Sequence, residues 1–398
     1  MAKKRVGVIG AGIVGASVGF YLSTHDNLEV TIFEKGYIAS GTTAKSAGTV
    51  CLMDDSLSHE FWPVRLQGLQ TYVDMEREER GSTGFDNTGT LVVATDQDVE
   101  ESLQIALHNT IEAGYRAEYR RDMEWIHGII PDLSTEGVVG AAFTPDDGYF
   151  DPTMIANTFV KKAKARGATV LVQTPVVGFN IVGGQVLGVE TNKGRFPLDV
   201  VVDASGPWSR FVGRLAGIEL PIVHTKAEVF VLQPRVALGY PFPVLKYPRF
   251  YARREGSNVF ICKAHLTMDL SDPKHSGLFD PDTLPMRGGT DPYFLDFLFG
   301  QLGQYYPRLL DTGIAMEWVG YRAETPDFMP ILGETPVGGY LLAVGCGGNG
   351  VIEAPSIGIN LAKYIAMGEK PPLVERLGLD RFEGESGGTA GSVIASNA

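Results

Sequence analysis

The chain has 398 residues, 44% of them hydrophobic and 20% charged, and a formal net charge of −13. That length is too great for one small core and suggests two consecutive or interleaved domains of a globular protein in water. The acidic balance disfavours nucleic acid or an anionic membrane as a general partner, and no run of 18 or more apolar residues offers a membrane span.

The basic start, residues 1–5, runs straight into the first expected strand and leaves no room for a signal peptide. Residues 6–10 (VGVIG) form a short apolar run rich in β-branched residues, which reads as a buried parallel strand. Gly10, Gly12 and Gly15, with Ala11, Ile13 and Val14 between them, make a G-x-G-x-x-G. Residues 16–23 then have helical composition, and a second strand at 29–33 ends at Glu34. Strand, glycine turn, helix, strand and acid in this order form a dinucleotide-binding unit. Gly10 permits the tight turn, Gly12 lets backbone approach a pyrophosphate, and Gly15 lets helix and strand pack closely. Donors at the helix N-terminus suit phosphates. Glu34, followed by Lys35, is placed to bind a ribose diol and would repel a 2′-phosphate, which argues against NADP.

Residues 36–58 are small, hydroxylated and glycine-rich, and their place beside a ribose-binding acid makes them a cofactor loop. Thr42, Thr43, Ser46, Ala47, Gly48 and Thr49 offer hydroxyls and bare amides there. A helix is expected over 59–80, and composition changes near Gly81. A strand at 90–94, a helix at 98–113 capped by Asp96 and stopped by Gly114, and a strand at 138–143 do not extend the nucleotide-binding pattern. They read as the start of an inserted domain.

The run GYFD-P (148–152) opens a helix over 153–166. A strand at 168–174 follows, then a hairpin of 176–182 and 185–191 about Gly183 and Gly184, with 195–197 beginning the next strand. Residues 199–204 (DVVVDA) should return the chain to the first sheet, leading into Ser205, Gly206, Pro207 and Trp208. From 217 to about 316 strands and loops resume, with pieces at 250–251, 259–262 and a helix at 293–305. The chain comes back through 320–333, a strand at 340–344, a glycine turn at 345–350 and a helix at 355–366, and the small polar tail from 383 is expected to be disordered. The three cysteines, Cys51, Cys262 and Cys346, show no metal spacing and read as reduced thiols, so a cytoplasmic location is expected, with peripheral membrane contact left open.

Four stretches in one order, GAGIVG with Glu34, GYFD-P, VVDASGPWS, and GYR…TPDFMPILG followed by GGNGV, resemble the FAD-dependent D-amino-acid oxidase family. That family includes glycine oxidase, sarcosine oxidase, D-amino-acid dehydrogenases and the β subunits of proline dehydrogenases. The resemblance covers residue 4 to about 365 and is weakest in the inserted domain. It implies an α/β (α+β) fold: a Rossmann-like FAD-binding domain (1–80, 144–216 and 320–382) with an interleaved substrate domain (81–143 and 217–319) on a mostly antiparallel β-sheet. It further implies an extended FAD, with Val176 at the adenine, Ser205, Gly206 and Trp208 on the pyrophosphate side, and Gly345, Gly347, Gly348, Asn349, Gly350 and Val351 near the flavin N1–C2=O edge. Donors at that edge would stabilise a reduced flavin. The covalent branch attaches flavin through a cysteine near the position of Arg322 or Ala323, so FAD here is expected to be non-covalent.

The resemblance also assigns candidate catalytic groups. Arg322 matches the arginine that grips a substrate carboxylate, a task suited to a planar two-pronged donor. Its competing reading is a salt bridge to Asp327 or Glu324. Two departures from relatives stand out: Ala323 replaces a common proline, and Gly348 replaces a basic residue of glycine oxidase. Tyr251 matches an active-site tyrosine, with an ordinary strand aromatic as the alternative. Lys263 lies near a lysine that activates oxygen in sarcosine oxidases, though its spacing to Tyr251 and His265 fits loosely. His59, His224 and His265 read as structural, and Arg253, Arg254 and Trp318 are further pocket candidates.

The implied enzyme oxidises the C–N bond of an amino acid or N-alkyl amino acid, passing hydride to flavin N5 and leaving an imine for water to hydrolyse. Its partners would be a small amino or carboxylate substrate and oxygen, a quinone or a partner subunit as electron acceptor, with homo- or hetero-oligomers left open. The alternatives are a FAD-dependent 2-hydroxy-acid dehydrogenase, which would use a histidine base such as His59 or His265, and a flavin-binding subunit without turnover.

Overall fold

The computed structural model describes residues 2–53, 61–247, 250–264, 278–279 and 289–382. Strand Lys4–Ile9 lies inside a six-stranded sheet ordered Ile331–Glu334, Tyr340–Val344, Val200–Asp203, Lys4–Ile9, Leu28–Phe33, Thr169–Leu171. Its two neighbours run parallel to it, with Val6 opposite both Val200 and Val30. Only the outermost strand, Ile331–Glu334, is antiparallel to its neighbour. Sheets of this kind are covered on both faces, which is why Val6 and Val8 are wholly buried.

Helices Ile13–Ser23 and Gly350–Met367 pack so closely that a β-carbon at Gly358 would meet Ser17 Oγ at 2.5 Å. The Ser17 hydroxyl donates to the Ala354 carbonyl at 2.8 Å. This contact carries the N-terminus of the C-terminal helix to the same end of the sheet as the first glycine turn.

A second, nine-stranded sheet holds Val223–Pro234, Asn258–Ala264, Phe250–Glu255, Val244–Tyr247 and Thr90–Ala94, with Thr312–Glu324 paired along the outer side of Val223–Pro234. Its pairings are antiparallel except that of Val244–Tyr247 with Thr90–Ala94. Trp318, Val229, Cys262 and Tyr251 stand directly opposite one another across four strands, so their side chains share one face. Arg322, four residues beyond Trp318 on the same strand, also belongs to that face.

Several expected boundaries move. The strand expected over 168–174 is only Thr169–Leu171, because Gln173 takes φ +51° and turns Thr174 N–H onto the Glu34 carbonyl. The helix expected over 59–80 spans Trp62–Glu78, with residues 59 and 60 outside the described set. The helix expected to start at Pro355 begins at Gly350 instead and runs to Met367. Proline lacks the N–H that would bond to the Val351 carbonyl four residues back, and the Tyr72 hydroxyl donates to that carbonyl in its place. The tail from 383 lies outside the described residues.

Candidate active site

A cleft of about 460 Å³ runs from Glu34, Thr174 and Val176 past the first glycine turn to the loop 345–350. Its near wall is made by close backbone approach. Gly10 has φ +103°, and a β-carbon on it would sit 2.6 Å from the Ala204 carbonyl oxygen. One on Gly15 would lie 2.0 Å from the Gly10 carbonyl oxygen. Helix Ile13–Ser23 has no side-chain cap from its N-cap residue, Gly12, and Thr43 Oγ1 accepts the Ile13 N–H at 3.0 Å. Glu34 is buried, and its two oxygens accept the Ala11 N–H at 2.8 Å and the Gly36 N–H at 2.7 Å. The acid therefore organises the turn while lining the cleft. Lys35 Nζ lies 3.1 Å from the centroid of the Trp208 ring, and burial pushes the ammonium down to about 8.

The far end belongs to the loop 345–350. Gly345 and Gly347 have φ +75° and +49°. The loop is held by Gly347 N–H on the Ala323 carbonyl and Asn349 N–H on the Cys346 carbonyl, both at 2.9 Å.

Of the cofactor residues expected from sequence, Gly10, Gly12, Ile13, Val14, Glu34, Lys35, Thr42, Thr43, Ser46, Val176, Ser205, Gly206, Trp208, Gly345, Gly347, Gly348, Gly350 and Val351 line the cleft. Gly15, Ala47, Gly48, Thr49 and Asn349 stand outside its wall, in supporting places. Gly48 has φ +68° with the Phe150 carbonyl 2.0 Å from its would-be β-carbon, the Ala47 carbonyl accepts from Arg253, and Thr49 pairs with Tyr149.

Arg322 does not line the cleft either; its strand neighbours Tyr321 and Ala323 do. Its guanidinium lies on the other side of the strand, beside Tyr251, and reaches back to the loop at Gly348. Among the described residues it forms no ion pair. Asp327 is taken by Arg381 at 2.8 Å, and Glu324 accepts the Thr225 hydroxyl at 3.1 Å. Burial pushes the Tyr251 phenol far above its ordinary range, so it stays neutral. The register sets Lys263 opposite Glu228, one residue out of the row formed by Tyr251 and Cys262. His59 and His265 lie outside the described residues, and His224 is buried with Nε2 at 2.6 Å from the Pro207 carbonyl. Arg253 stacks between Tyr149 and Phe260 and donates to the Ala47 carbonyl at 2.6 Å, while Trp318 donates to the Lys45 carbonyl at 3.2 Å.

Residues 5–364 match the family described as DAO, FAD dependent oxidoreductase. The chain belongs to that family. It is 27% identical to the glycine oxidase of Geobacillus kaustophilus over 394 residues, covering 96% of this chain and 98% of the relative. It is 26% identical to human mitochondrial sarcosine dehydrogenase over 392 residues, 95% of this chain but only 41% of that protein. Among solved structures, the L-proline dehydrogenase of P. horikoshii superposes with a TM-score of 0.80 at 27% identity, over 96% of this chain and 98% of the other. For a member of this family the cofactor is FAD, and the glycine cradle fits it. A β-carbon on Gly10 would collide with the Ala204 carbonyl, so a bare turn is what brings the strand end and the helix N-terminus together along the cleft. No cysteine stands at 322 or 323.

Sequence reasoning passed over the charges behind the far loop. Arg65 and Glu353 are each only 3% exposed. Arg65 donates to the Cys51 carbonyl at 3.1 Å and to Asn349 Oδ1 at 3.2 Å. Burial raises Glu324, against the pull of Arg322 and Thr225. The available signal was an acid inside an otherwise apolar helical run, VIEAPSIG, and an arginine on the buried side of WPVRLQGL.

Proposed function

We propose that this protein oxidises the C–N bond of an amino acid or N-alkyl amino acid. FAD in the cleft supplies the hydride acceptor. Arg322 binds the substrate carboxylate, because its half-buried guanidinium lacks an ion-pair partner among the described residues and lies just behind the cleft's far end, against Gly348. Tyr251, neutral and adjacent, donates a hydrogen bond to the same carboxylate and helps exclude water. The apolar row of Val229, Cys262 and Trp318 faces the rest of the substrate.

In this reading the first sheet, with residues 1–80, 144–216 and 320–382, carries the cofactor, and the second sheet carries the substrate. The names of the relatives support a small amino acid. The electron acceptor is oxygen, a quinone or a partner subunit, and Cys51, Cys262 and Cys346, none of them in a disulfide among the described residues, suit a reducing compartment such as the cytoplasm. Titrating the flavin-loaded protein with short carboxylic acids tests the clamp. A saturable change in the flavin spectrum that disappears in Arg322→Ala supports it, and an equal change in the variant removes its basis.

A further inference from the structure

The loop 345–350 has the cleft on one side and a buried set of charges on the other. Asn349 is the loop residue that serves as the N-cap of helix Gly350–Met367. Arg65 on helix Trp62–Glu78 reaches the Asn349 side chain from behind. Glu353, one turn into the C-terminal helix, places its N–H on the Asn349 carbonyl at 3.2 Å. Its side chain is buried, and its Oε2 has no hydrogen-bond partner among the described residues. From the strand Thr312–Glu324, Glu324 comes so near the loop that a β-carbon at Gly347 would lie 2.2 Å from Glu324 Oε2. The other titratable groups facing this space are Arg322 beyond Glu324, the Cys346 thiol in the loop itself, and Tyr72, whose hydroxyl is engaged by the Val351 carbonyl.

We infer that Arg65 and Glu353 together set how readily the flavin in the cleft is reduced, Arg65 by its fixed positive charge and Glu353 by taking up a proton as electrons arrive. Reduction adds negative charge to a ring held in the cleft, across the glycine loop from these side chains. A buried carboxylate behind that loop opposes the added charge and cannot be screened by water. Holding a proton removes the opposition. Burial pushes Glu353 up to about 8, with Arg65 pulling the other way and Glu324 adding to the rise. Two electrons come from the reductant and one proton goes to the ring; where Glu353 is ionised in the oxidised protein, a second proton enters from solvent and rests on its carboxylate. Neither residue touches the substrate, so both are positioning residues.

This inference rests on flavin occupying the cleft but not on the identity of the substrate, because a chemical reductant replaces the amino acid in its test. The measurement is the flavin reduction potential of the FAD-loaded protein from about pH 6 to pH 9.5. Below about pH 8 Glu353 is already protonated, and reduction takes up one proton for two electrons. Above it a second proton is taken up, so the potential falls twice as steeply with pH. In Glu353→Gln the shallow slope continues through the whole range. In Arg65→Gln the potential drops at every pH, and Arg65→Lys recovers part of the loss. A wild-type profile without steepening above pH 8 overturns the inference before any variant is made. So does a Glu353→Gln profile that still steepens. Flavin absorbance and thermal midpoint, recorded beside each potential, establish that the variants are folded and loaded.

Discussion

A β-carbon on Gly348 would stand 2.8 Å from Nη1 of Arg322. The absence of a side chain at 348 is what lets the guanidinium lie against the loop. Where the sequence reading noted a lost basic group, the structure has room for a different one. Gly348→Ala forces the flexible tip of Arg322 to move, an overpacking that costs about 1–2 kcal/mol. The expected outcome is a KM for the amino-acid substrate raised about tenfold, with flavin content unchanged. Steady-state kinetics alongside the visible spectrum check it.

Replacing Arg322 itself separates charge from shape. Lysine keeps the charge and loses the fork, whereas alanine loses both. Removing one partner of a buried, hydrogen-bonded charge pair costs about 3 kcal/mol or more, so kcat/KM should fall at least about a hundredfold in Arg322→Ala. Arg322→Lys should fall between the two. Both variants should remain yellow, because the residue lies outside the cleft wall.

Gly15→Ala tests the cofactor cradle. The new methyl would meet backbone, the Gly10 carbonyl oxygen at 2.0 Å, and backbone cannot rotate away. We expect a loss of about 3 kcal/mol of stability and a largely flavin-free preparation. Thermal midpoint and the ratio of flavin to protein absorbance measure the two effects.

The first glycine turn was legible because strand, turn, helix and acid lie within 34 consecutive residues and each obeys a local rule. The hairpin 176–191 was equally plain, since Gly183 and Gly184 both take positive φ. The start of the C-terminal helix was not legible. At Pro355 its early turns are supported by Tyr72, 279 residues before Val351, which supplies the missing donor. Nor could local pattern find Arg65, Asn349 and Glu353 as neighbours, because helix Trp62–Glu78 meets the loop 345–350 only in the folded chain. Arg322 could be picked out from its motif, but its place on the far side of the strand from Tyr321 and Ala323 required the sheet register.

Stability should fall as pH rises from about 4 to 7. Asp147 is fully buried, where it accepts the Thr90 hydroxyl at 2.6 Å and the Leu52 N–H at 3.1 Å, and burial raises it from 3.8 to about 7. Between those values the folded protein holds a proton that the unfolded chain has released, so each step up in pH favours unfolding, and the loss is complete above about 7. Asp203, raised to about 6 by burial, adds in the same direction. Carboxylates with lowered values, such as Asp199 beside Arg5, act oppositely but only below about 4. Thermal midpoints should decline from pH 4.5 to about 8, the upper part of the decline coming from Glu353, which burial also raises, and Asp147→Asn should flatten the lower part. A midpoint that climbs steadily over that range contradicts the assignment.

The central claim is that a bound FAD and the Arg322 guanidinium meet around one small amino acid. Anaerobic mixing of the flavin-loaded protein with glycine, N-methylglycine, L- and D-proline and a set of D- and L-amino acids tests it most directly, with the visible flavin absorbance as readout. The account predicts rapid bleaching by at least one of these compounds, and slow or no bleaching by the same compound in Arg322→Ala. Full colour with every compound, or bleaching that proceeds as fast without Arg322, would contradict it.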